Sequence, residues 1–141
     1  MTYKIFTSGK MSGLSYEDSM KWRKEIEEAV LKIAENKVVF IHPPQFFHWN
    51  SDNQEFAKRW EINQIVNSDI VIVDLSTISG SIGTHIELGI IEGLNRTRNK
   101  KIEVVGIGKA DTEHPWIDLG LTYKAENVEK AAEFINDYLL I

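Results

Sequence analysis

The feature of this sequence that most constrains the fold is an apolar, β-branched run at residues 70–73, bounded by Asp69 and Asp74. Such a run is typical of a strand that is buried on both faces of a parallel sheet. A short loop follows at 75–80, and a helical pattern that contains Glu87 comes after it. Because ligands of open α/β sheets bind outside the carboxyl ends of the strands, this junction predicts a binding site.

Glu87 is the candidate catalytic residue of the junction. We expect it in the first turn of the helix, with its carboxylate near the mouth of the sheet. The alternative is a capping box, since in Thr84-x-x-Glu87 the glutamate would do no more than satisfy an orphan amide at the helix start. The spacing by itself leaves both roles open.

The rest of the chain alternates between strand and helix patterns. Strands are predicted at 3–8, 37–41, 69–74, 101–107 and 121–123, and helices at 15–36, 51–67, 81–94 and 127–139. This alternation predicts a single α/β domain over residues 1–141, with one doubly wound parallel sheet of about five strands. We expect a three-layer, flavodoxin-like or Rossmann-like sandwich. The predicted buried side of the third helix consists of Ile86, Ile90, Ile91 and Leu94.

Composition excludes several classes of function. The chain has 141 residues, 43% hydrophobic and 26% charged, the profile of a soluble protein of one domain. The net charge of −5 argues against a nucleic-acid polymer as a partner. The absence of cysteine excludes disulfides and thiolate metal sites. The first residues contain no long apolar run, so we expect no signal peptide, no membrane partner and a cytoplasmic location.

Motifs of several other enzyme classes are missing from the sequence. There is no Gly-x-Ser-x-Gly, which disfavours a serine hydrolase, and no Gly-x-Gly-x-x-Gly, which disfavours dinucleotide oxidoreduction. The four histidines are scattered and make no ligand pair at helical spacing. We therefore expect no metal site.

The first strand ends in a loop of small residues at 8–13. Backbone amides at Gly9 can approach an anion closely, the dipole of the following helix favours negative charge, and Lys10 adds a positive one. Ser12 adds a hydroxyl. We interpret the loop as an anion cradle, suited to phosphate. The alternative is a tight turn between strand and helix, which would also favour glycine.

The loop after the second strand, at residues 42–49, combines two prolines with three aromatic side chains. Gln45 and Phe46 lie in its centre, and Phe47, His48 and Trp49 follow. Such a loop can stack on a flat heterocycle and form hydrogen bonds with its edge. It can equally plug the edge of the core or form a contact between subunits.

Acidic side chains are predicted to converge on the same edge of the sheet. Glu61 lies on the second helix and Asp74 ends the third strand, close to Ser81 and Glu87. One carboxylate could attack an anomeric carbon or stabilise an oxocarbenium ion. A second, differently tuned, could serve the leaving group or the incoming nucleophile. For Glu61 the alternative is solvated helix surface.

Over nearly its full length the chain resembles the nucleoside 2-deoxyribosyltransferase family, which includes phage and bacterial relatives and the nucleoside 5′-monophosphate N-glycosidases. The likeness rests on the glycine-rich turn after the first strand and on Glu61, eight residues before Asp69. It rests above all on the segment from Gly83 to the triplet Glu87-Leu88-Gly89. Together, in this order and spacing, these pieces favour the catalytic interpretation of Glu87.

The resemblance implies an enzyme of nucleotide metabolism or salvage that cleaves the N-glycosidic bond of a small nucleoside or nucleotide without a cofactor. Glu87 would attack the sugar C1′ and form a glycosyl-enzyme intermediate, which a second base resolves in a transferase and water in a hydrolase. At a helix N-terminus it would stay ionised. Glu61 and Gln45 would face the base. Family relatives also imply a homo-oligomer with shared sites.

Three positions depart from the family pattern. Ser81 stands where transferases of free deoxynucleosides often have aspartate, and resembles the serine that helps the monophosphate N-glycosidases to hold the 5′-phosphate. Phe6 replaces a tyrosine that could orient the nucleophile, and Glu61 replaces a shorter aspartate. We expect deoxyribosyl transfer first and monophosphate hydrolysis as a close alternative. If Phe6 and Ser81 mark a retired site, the chain is a nucleotide-binding or sensing module.

Overall fold

A computed structural model describes residues 1–47 and 53–141. Its five strands are β1 (Thr2–Ser8), β2 (Lys37–Ile41), β3 (Ile70–Asp74), β4 (Glu103–Ile107) and β5 (Tyr123–Ala125). They form one parallel sheet in the order β2-β1-β3-β4-β5. This is the flavodoxin-like order, so the predicted fold class is confirmed.

Helices cover both faces of the sheet. They are α1 (Tyr16–Ile33), α2 (Gln54–Val66), α3 (Ile82–Thr97), α4 (Pro115–Leu119) and α5 (Val128–Phe134), and the last continues into a π-helical turn at Ile135–Leu139. Two 3-10 segments lie at Pro43–Gln45 and Leu75–Gly80. No helix within the described ranges has the length and apolar character needed to cross a bilayer.

Two apolar clusters hold the three layers together. On one face, Ile5 and Ile72 pack with the buried side chains of α1 and α5, such as Ile26. On the other, Phe6 and Val73 pack with residues of α2, α3 and α4. Because successive side chains of a strand point to opposite faces, the apolar runs of the central strands supply both cores at once.

Several predicted boundaries are wrong at the ends of elements. The segment 75–80 is helical because the Asp74 carboxylate accepts hydrogen bonds from the backbone amide and the hydroxyl of Ser76, at 3.0 and 2.7 Å. The expected loop at 108–118 contains α4, which begins with Pro115 after a His114 cap. β5 starts at Tyr123 rather than at 121. The predicted helix start at Ser51 and Asp52 lies outside the described residues.

The predicted buried side of α3 is only partly right. Ile91 is buried, but Ile86 is 58% exposed, because Thr84 takes the inward position near the helix start. α1 follows its predicted start, since the Ser15 hydroxyl accepts a hydrogen bond from the amide of Asp18 at 3.1 Å. The helix therefore enters the core directly after the loop at residues 8–13.

Candidate active site

A cavity of about 320 Å³ opens at the carboxyl ends of β1 and β3, where the sequence places the binding site. Its wall combines the loop after β1, the segment after β2, one side of α2 and the start of α3. The sequence-predicted residues that line it are Gly9, Ser12, Glu61, Ser81, Gly83 and Glu87. These predicted residues come from three of the four segments that form the wall.

Two predicted contacts on the second loop do not line this cavity. Gln45 and Phe46 are exposed in the 3-10 turn, and the Phe46 ring packs 4.6 Å from the ring of Trp60. Phe47 lines the cavity in their place, together with Pro43. The aromatic wall is thus made by the next residue along the chain, and the predicted His48 and Trp49 lie outside the described residues.

Phe6 and Asp74 are also set back from the cavity. Phe6 is fully buried in the core beside Ile65, because its side chain points to the opposite face of β1 from Thr7. The Asp74 carboxylate is occupied with capping the 3-10 segment. Neither residue lines the cavity, so this arrangement disfavours direct contact of Phe6 or Asp74 with a ligand.

Lys10 stands at the edge of the cavity rather than in its wall. Its ammonium lies 3.5 Å from the point where a Cβ on Gly80 would stand, and Gly80 is a lining residue. The positive charge is thereby held beside the start of α3. Ser81, the residue before that helix, makes no side-chain capping bond to the first-turn amides.

Glu87 lies in the second turn of α3, not in the first as expected, because the helix begins at Ile82. The carboxylate points back along the helix, and its Oε1 would lie 3.9 Å from a Cβ on Gly83. Oε2 is buried and finds no hydrogen-bond partner among the described residues. No acidic residue lies in the first helical turn, so the capping-box alternative is wrong.

Burial governs the ionisation of Glu87. Loss of solvent, with the nearby charge of Glu61 as a second cause, raises the pKa of Glu87 to about 8, although the Ser8 hydroxyl and Arg23 act in the opposite direction. The carboxyl group is therefore mostly protonated at neutral pH in the free protein. The expectation that a helix N-terminus keeps it ionised is wrong, because the dipole acts within the first turn and burial outweighs it.

Glu61 is the second acidic group of the cavity. Burial raises its pKa, and the charge of Arg23 partly opposes the shift. The solvated-surface alternative for this residue is therefore wrong. Two carboxyl groups from different helices share one cavity, and the charge of Glu61 disfavours ionisation of Glu87. Such pairs occur where one group must be an anion while its neighbour carries a proton.

A short row of hydroxyl groups lies beside Glu87, and of its three members only Ser81 was predicted as a ligand contact. The Ser8 hydroxyl is 3.3 Å from Oγ1 of Thr84, and Oγ of Ser81 is 2.6 Å from the same atom. All three residues are buried and line the cavity. The usable sequence signal was the polar end of β1, since two polar residues that close an apolar strand point to a site at its carboxyl end.

A further residue that was not predicted is Arg23, which lies on α1 and is fully buried. Burial lowers its pKa to about 10, so it remains a cation at neutral pH. The sequence indicates the burial of Arg23 through its spacing. Met20, Arg23 and Ile26 follow one another at three-residue intervals, which places them on the buried side of α1. A lone arginine in such an apolar stripe marks a buried charge that needs partners.

Gly9 allows the loop after β1 to pack against α1. A Cβ at this position would lie 2.7 Å from Cζ2 of Trp22. We expect Gly9→Ala to lower the free energy of unfolding by about 1–3 kcal/mol, because the indole has to move. Chemical denaturation measures the change. Gly89→Ala on α3 is the matched control, since no heavy atom lies within 4 Å of its Cβ. Equal effects of the two changes would contradict the expectation.

Within the described part of the chain, no group of three or more histidine, aspartate or glutamate side chains is arranged to hold a metal ion. No protein-family model matches the chain, and no curated protein matches it. Among solved structures it is similar to an azoreductase from Bacillus anthracis str. Sterne, with 13% sequence identity and a TM-score of 0.45. The match covers 96% of this chain and 100% of the azoreductase chain.

Proposed function

We propose that this protein is a nucleoside 2-deoxyribosyltransferase-like enzyme, which cleaves the N-glycosidic bond of a deoxynucleoside or its 5′-monophosphate and transfers the sugar to another base. The observation that carries the proposal is the carboxyl pair, because Glu87 and Glu61 line one cavity and both have raised pKa values. The sequence resemblance assigns the same two residues to the nucleophile and the base side.

Each carboxyl group has a distinct task in this reaction. Ionised Glu87 attacks C1′, the bond from C1′ to the base nitrogen breaks, and the leaving base receives a proton from Glu61. The resulting glycosyl ester on Glu87 is then attacked by the nitrogen of a second base, which gives its proton to Glu61. This step restores both groups to their starting protonation states.

The size and lining of the cavity fit a nucleoside. A volume of about 320 Å³ lies at the lower end of the range for small-molecule sites. Phe47 offers an aromatic face on the α2 side, where a base would stack beside Glu61. Ser81 and Gly83 lie on the opposite side, at the start of α3, where the sugar and its 5′ end would be held.

Hydrolysis of a nucleoside 5′-monophosphate is the second candidate, and the start of α3 favours it. The ammonium of Lys10 stands beside Gly80, and Ser12 and Ser81 contribute hydroxyl groups to the cavity. The amides at the N-terminus of a helix carry partial positive charge and attract phosphate. In this reaction water replaces the second base in the attack on the glycosyl ester.

Product analysis tests the proposal and separates the two candidates. Purified protein is incubated with each deoxynucleoside and each deoxynucleoside monophosphate, with and without a free acceptor base, and the products are resolved by chromatography. A new nucleoside that requires the acceptor establishes transfer. Free base released from monophosphates without acceptor establishes hydrolysis. If nothing is consumed but nucleotides raise the melting temperature, the chain is a nucleotide-binding module. If neither occurs, the proposal is wrong.

We also propose that the protein works in the cytoplasm as a homo-oligomer. Support comes from an apolar face around a groove of about 500 Å³ between α3 and α4, where Trp116 is 81% and Leu119 79% exposed. Ile82 and Ile86 on α3 add further exposed apolar surface. Exposed apolar surface of this kind marks protein contacts.

Oligomerisation is expected to depend on this face. Light scattering of the wild type should give the mass of a dimer or a larger assembly. The double change Trp116→Lys and Leu119→Lys should give a monomer, because two desolvated charges oppose burial of the face. Tyr138→Lys, at an exposed aromatic residue near the end of the chain, is the matched control and should leave the mass unchanged. A monomeric wild type would contradict the proposal.

A further inference from the structure

Arg23 is a buried cation whose hydrogen bonds all go to neutral acceptors. Its Nε donates to Oγ1 of Thr7 at 3.2 Å, Nη2 donates to the carbonyl of Gly9 at 3.1 Å, and Nη1 donates to the carbonyl of Ser19. The residue has no accessible surface, yet it belongs to the cavity wall. No carboxylate forms an ion pair with it in the part of the chain that the structure describes.

An unpaired buried cation is costly, so its charge must be compensated at longer range. The nearby acidic groups are Glu87, Asp74 and Glu61, in that order of effect on the pKa of Arg23, and each compensates the cation only in its ionised form. A direct ion pair would tie up the carboxylate that has to attack the substrate. A cation held a short distance away favours the anionic form of Glu87 and leaves its oxygens free.

Arg23 is itself oriented by a chain of hydrogen bonds that runs to the surface. Arginine can only donate, so Oγ1 of Thr7 accepts from Nε of Arg23. The Glu27 carboxylate can only accept, so a neutral His42 ring carries its hydrogen on Nε2 and donates it to Oε2 of Glu27 at 3.0 Å. Nδ1 of His42 is then an acceptor for the Thr7 hydroxyl at 2.8 Å, a shorter contact than that hydroxyl makes with the Ile41 carbonyl at 3.4 Å. Burial lowers the pKa of His42, which agrees with a neutral ring in this tautomer. Glu27, on the partly exposed side of α1, is the last residue in this series of hydrogen bonds.

The same arginine ties the loop after β1 to α1. Its guanidinium carbon lies 4.8 Å from the centroid of the Trp22 ring, and that ring packs against Gly9. The bond from Nη2 to the Gly9 carbonyl completes the clamp. Because Gly9 and Ser12 both line the cavity, Arg23 determines where this wall stands relative to Glu87.

We propose that Arg23 is the positioning residue of this site: it clamps the Gly9 loop onto α1 and supplies the positive charge beside which Glu87 ionises next to Glu61. Its effect on turnover rests on the proposed function, but its effect on the ionisation of Glu87 does not. The charged and titratable groups that act on Glu87 or Arg23, or that stand in or beside the cavity, come from every neighbouring element. They are Arg23 on α1, Lys10 in the loop after β1, Lys58 and Glu61 on α2, and Asp74 at the end of β3, and the Ser8 hydroxyl at the end of β1 acts on Glu87 as well.

The test follows the titration of Glu87 by NMR, with ¹³C-labelled glutamate carboxyl groups and with Glu87→Gln to assign the signal. In Arg23→Met the midpoint should move upward by about one pH unit or more, since a charge at short range in a partly desolvated site is lost. In Arg23→Lys, which keeps the charge, the move should be less than half as large. Arg59→Met removes an exposed arginine of α2 and is the matched control, with no change expected.

An unchanged midpoint in a folded Arg23→Met protein would overturn the inference. If Arg23→Met does not fold, Arg23→Lys and Thr7→Val decide, because both keep a cation but break the clamp or its support. If the wild type turns over a substrate, Arg23→Lys and Thr7→Val should each raise KM by about tenfold and change kcat less. A wild-type-like KM in both would overturn the positioning role. Failure of all substrates in the product assay would refute the proposed function while the NMR titration still decides the role of Arg23.

Discussion

Replacing Glu87 by glutamine is expected to lower the rate of N-glycosidic cleavage at least about 1,000-fold, because the amide cannot form the glycosyl ester. Glutamine has nearly the same shape as the protonated glutamate, which is the major form in the free protein at neutral pH. The cavity and substrate binding should therefore survive. The measurement is the initial rate of base release or exchange by chromatography, with binding followed separately by calorimetry.

Glu92→Gln is the matched control for this change. Glu92 lies further along α3 and pairs at the surface with Arg96, so its replacement makes the same Glu-to-Gln change outside this cavity. It should retain the wild-type rate within about twofold, since exposed ion pairs contribute little. A Glu87→Gln protein that is folded, binds substrate and keeps more than a tenth of the rate would rule out the covalent route through this residue.

The free energy of unfolding is expected to fall between about pH 4.5 and pH 8. Burial raises the pKa of Glu87 from 4.5 to about 8, so the native state holds a proton that the unfolded chain has already released. Unfolding therefore becomes easier as the pH rises through this window. At 1.36 kcal/mol per pH unit the loss is at most about 5 kcal/mol for this group. Glu61, whose pKa is also raised, adds a loss of the same sign.

Urea denaturation at pH 5.5 and pH 8.5 measures this loss. Glu87→Gln removes the titrating group, so its stability should vary much less between the two conditions and should exceed that of the wild type at the higher pH. Glu92→Gln should keep the wild-type dependence, because the partly exposed Glu92 carboxylate lies outside this cavity and pairs with Arg96. If Glu87→Gln and the wild type lose stability in parallel, Glu87 is not protonated in the native state.

Catalysis and stability make opposite demands on Glu87. In the proposed reaction Glu87 has to be an anion, yet its burial favours the neutral acid by about tenfold at pH 7. Because Glu61 has to hold a proton in the same step, turnover should pass through a maximum with pH, rising as Glu87 ionises and falling as Glu61 loses its proton. Glu87 lies where ionisation of a carboxyl group is costly because of burial. Such a position fits a role in chemistry better than a role in stabilising the fold.

The architecture was predictable from the chain because it depends on local patterns. The apolar run of β3 and the alternation of strand and helix require a parallel sheet with helices on both faces, and Ser15 shows where α1 begins. The same patterns place Gly9, Glu61, Ser81 and Glu87 at one edge of that sheet. The predicted start of β5 was wrong, since the ends of a strand depend on hydrogen bonds with residues that are distant in sequence.

What the sequence by itself determined was therefore the fold and the edge at which the acidic, glycine and serine residues meet. Only the tertiary structure decided the protonation of Glu87, the core position of Phe6, and the part played by Arg23. The physical reason is that periodicity reports which side of an element faces inward, whereas a pKa depends on desolvation and on charges brought together from other elements. The role of Arg23 likewise depends on the tertiary structure, because its partners on β1 and in the Gly9 loop are neighbours only after folding.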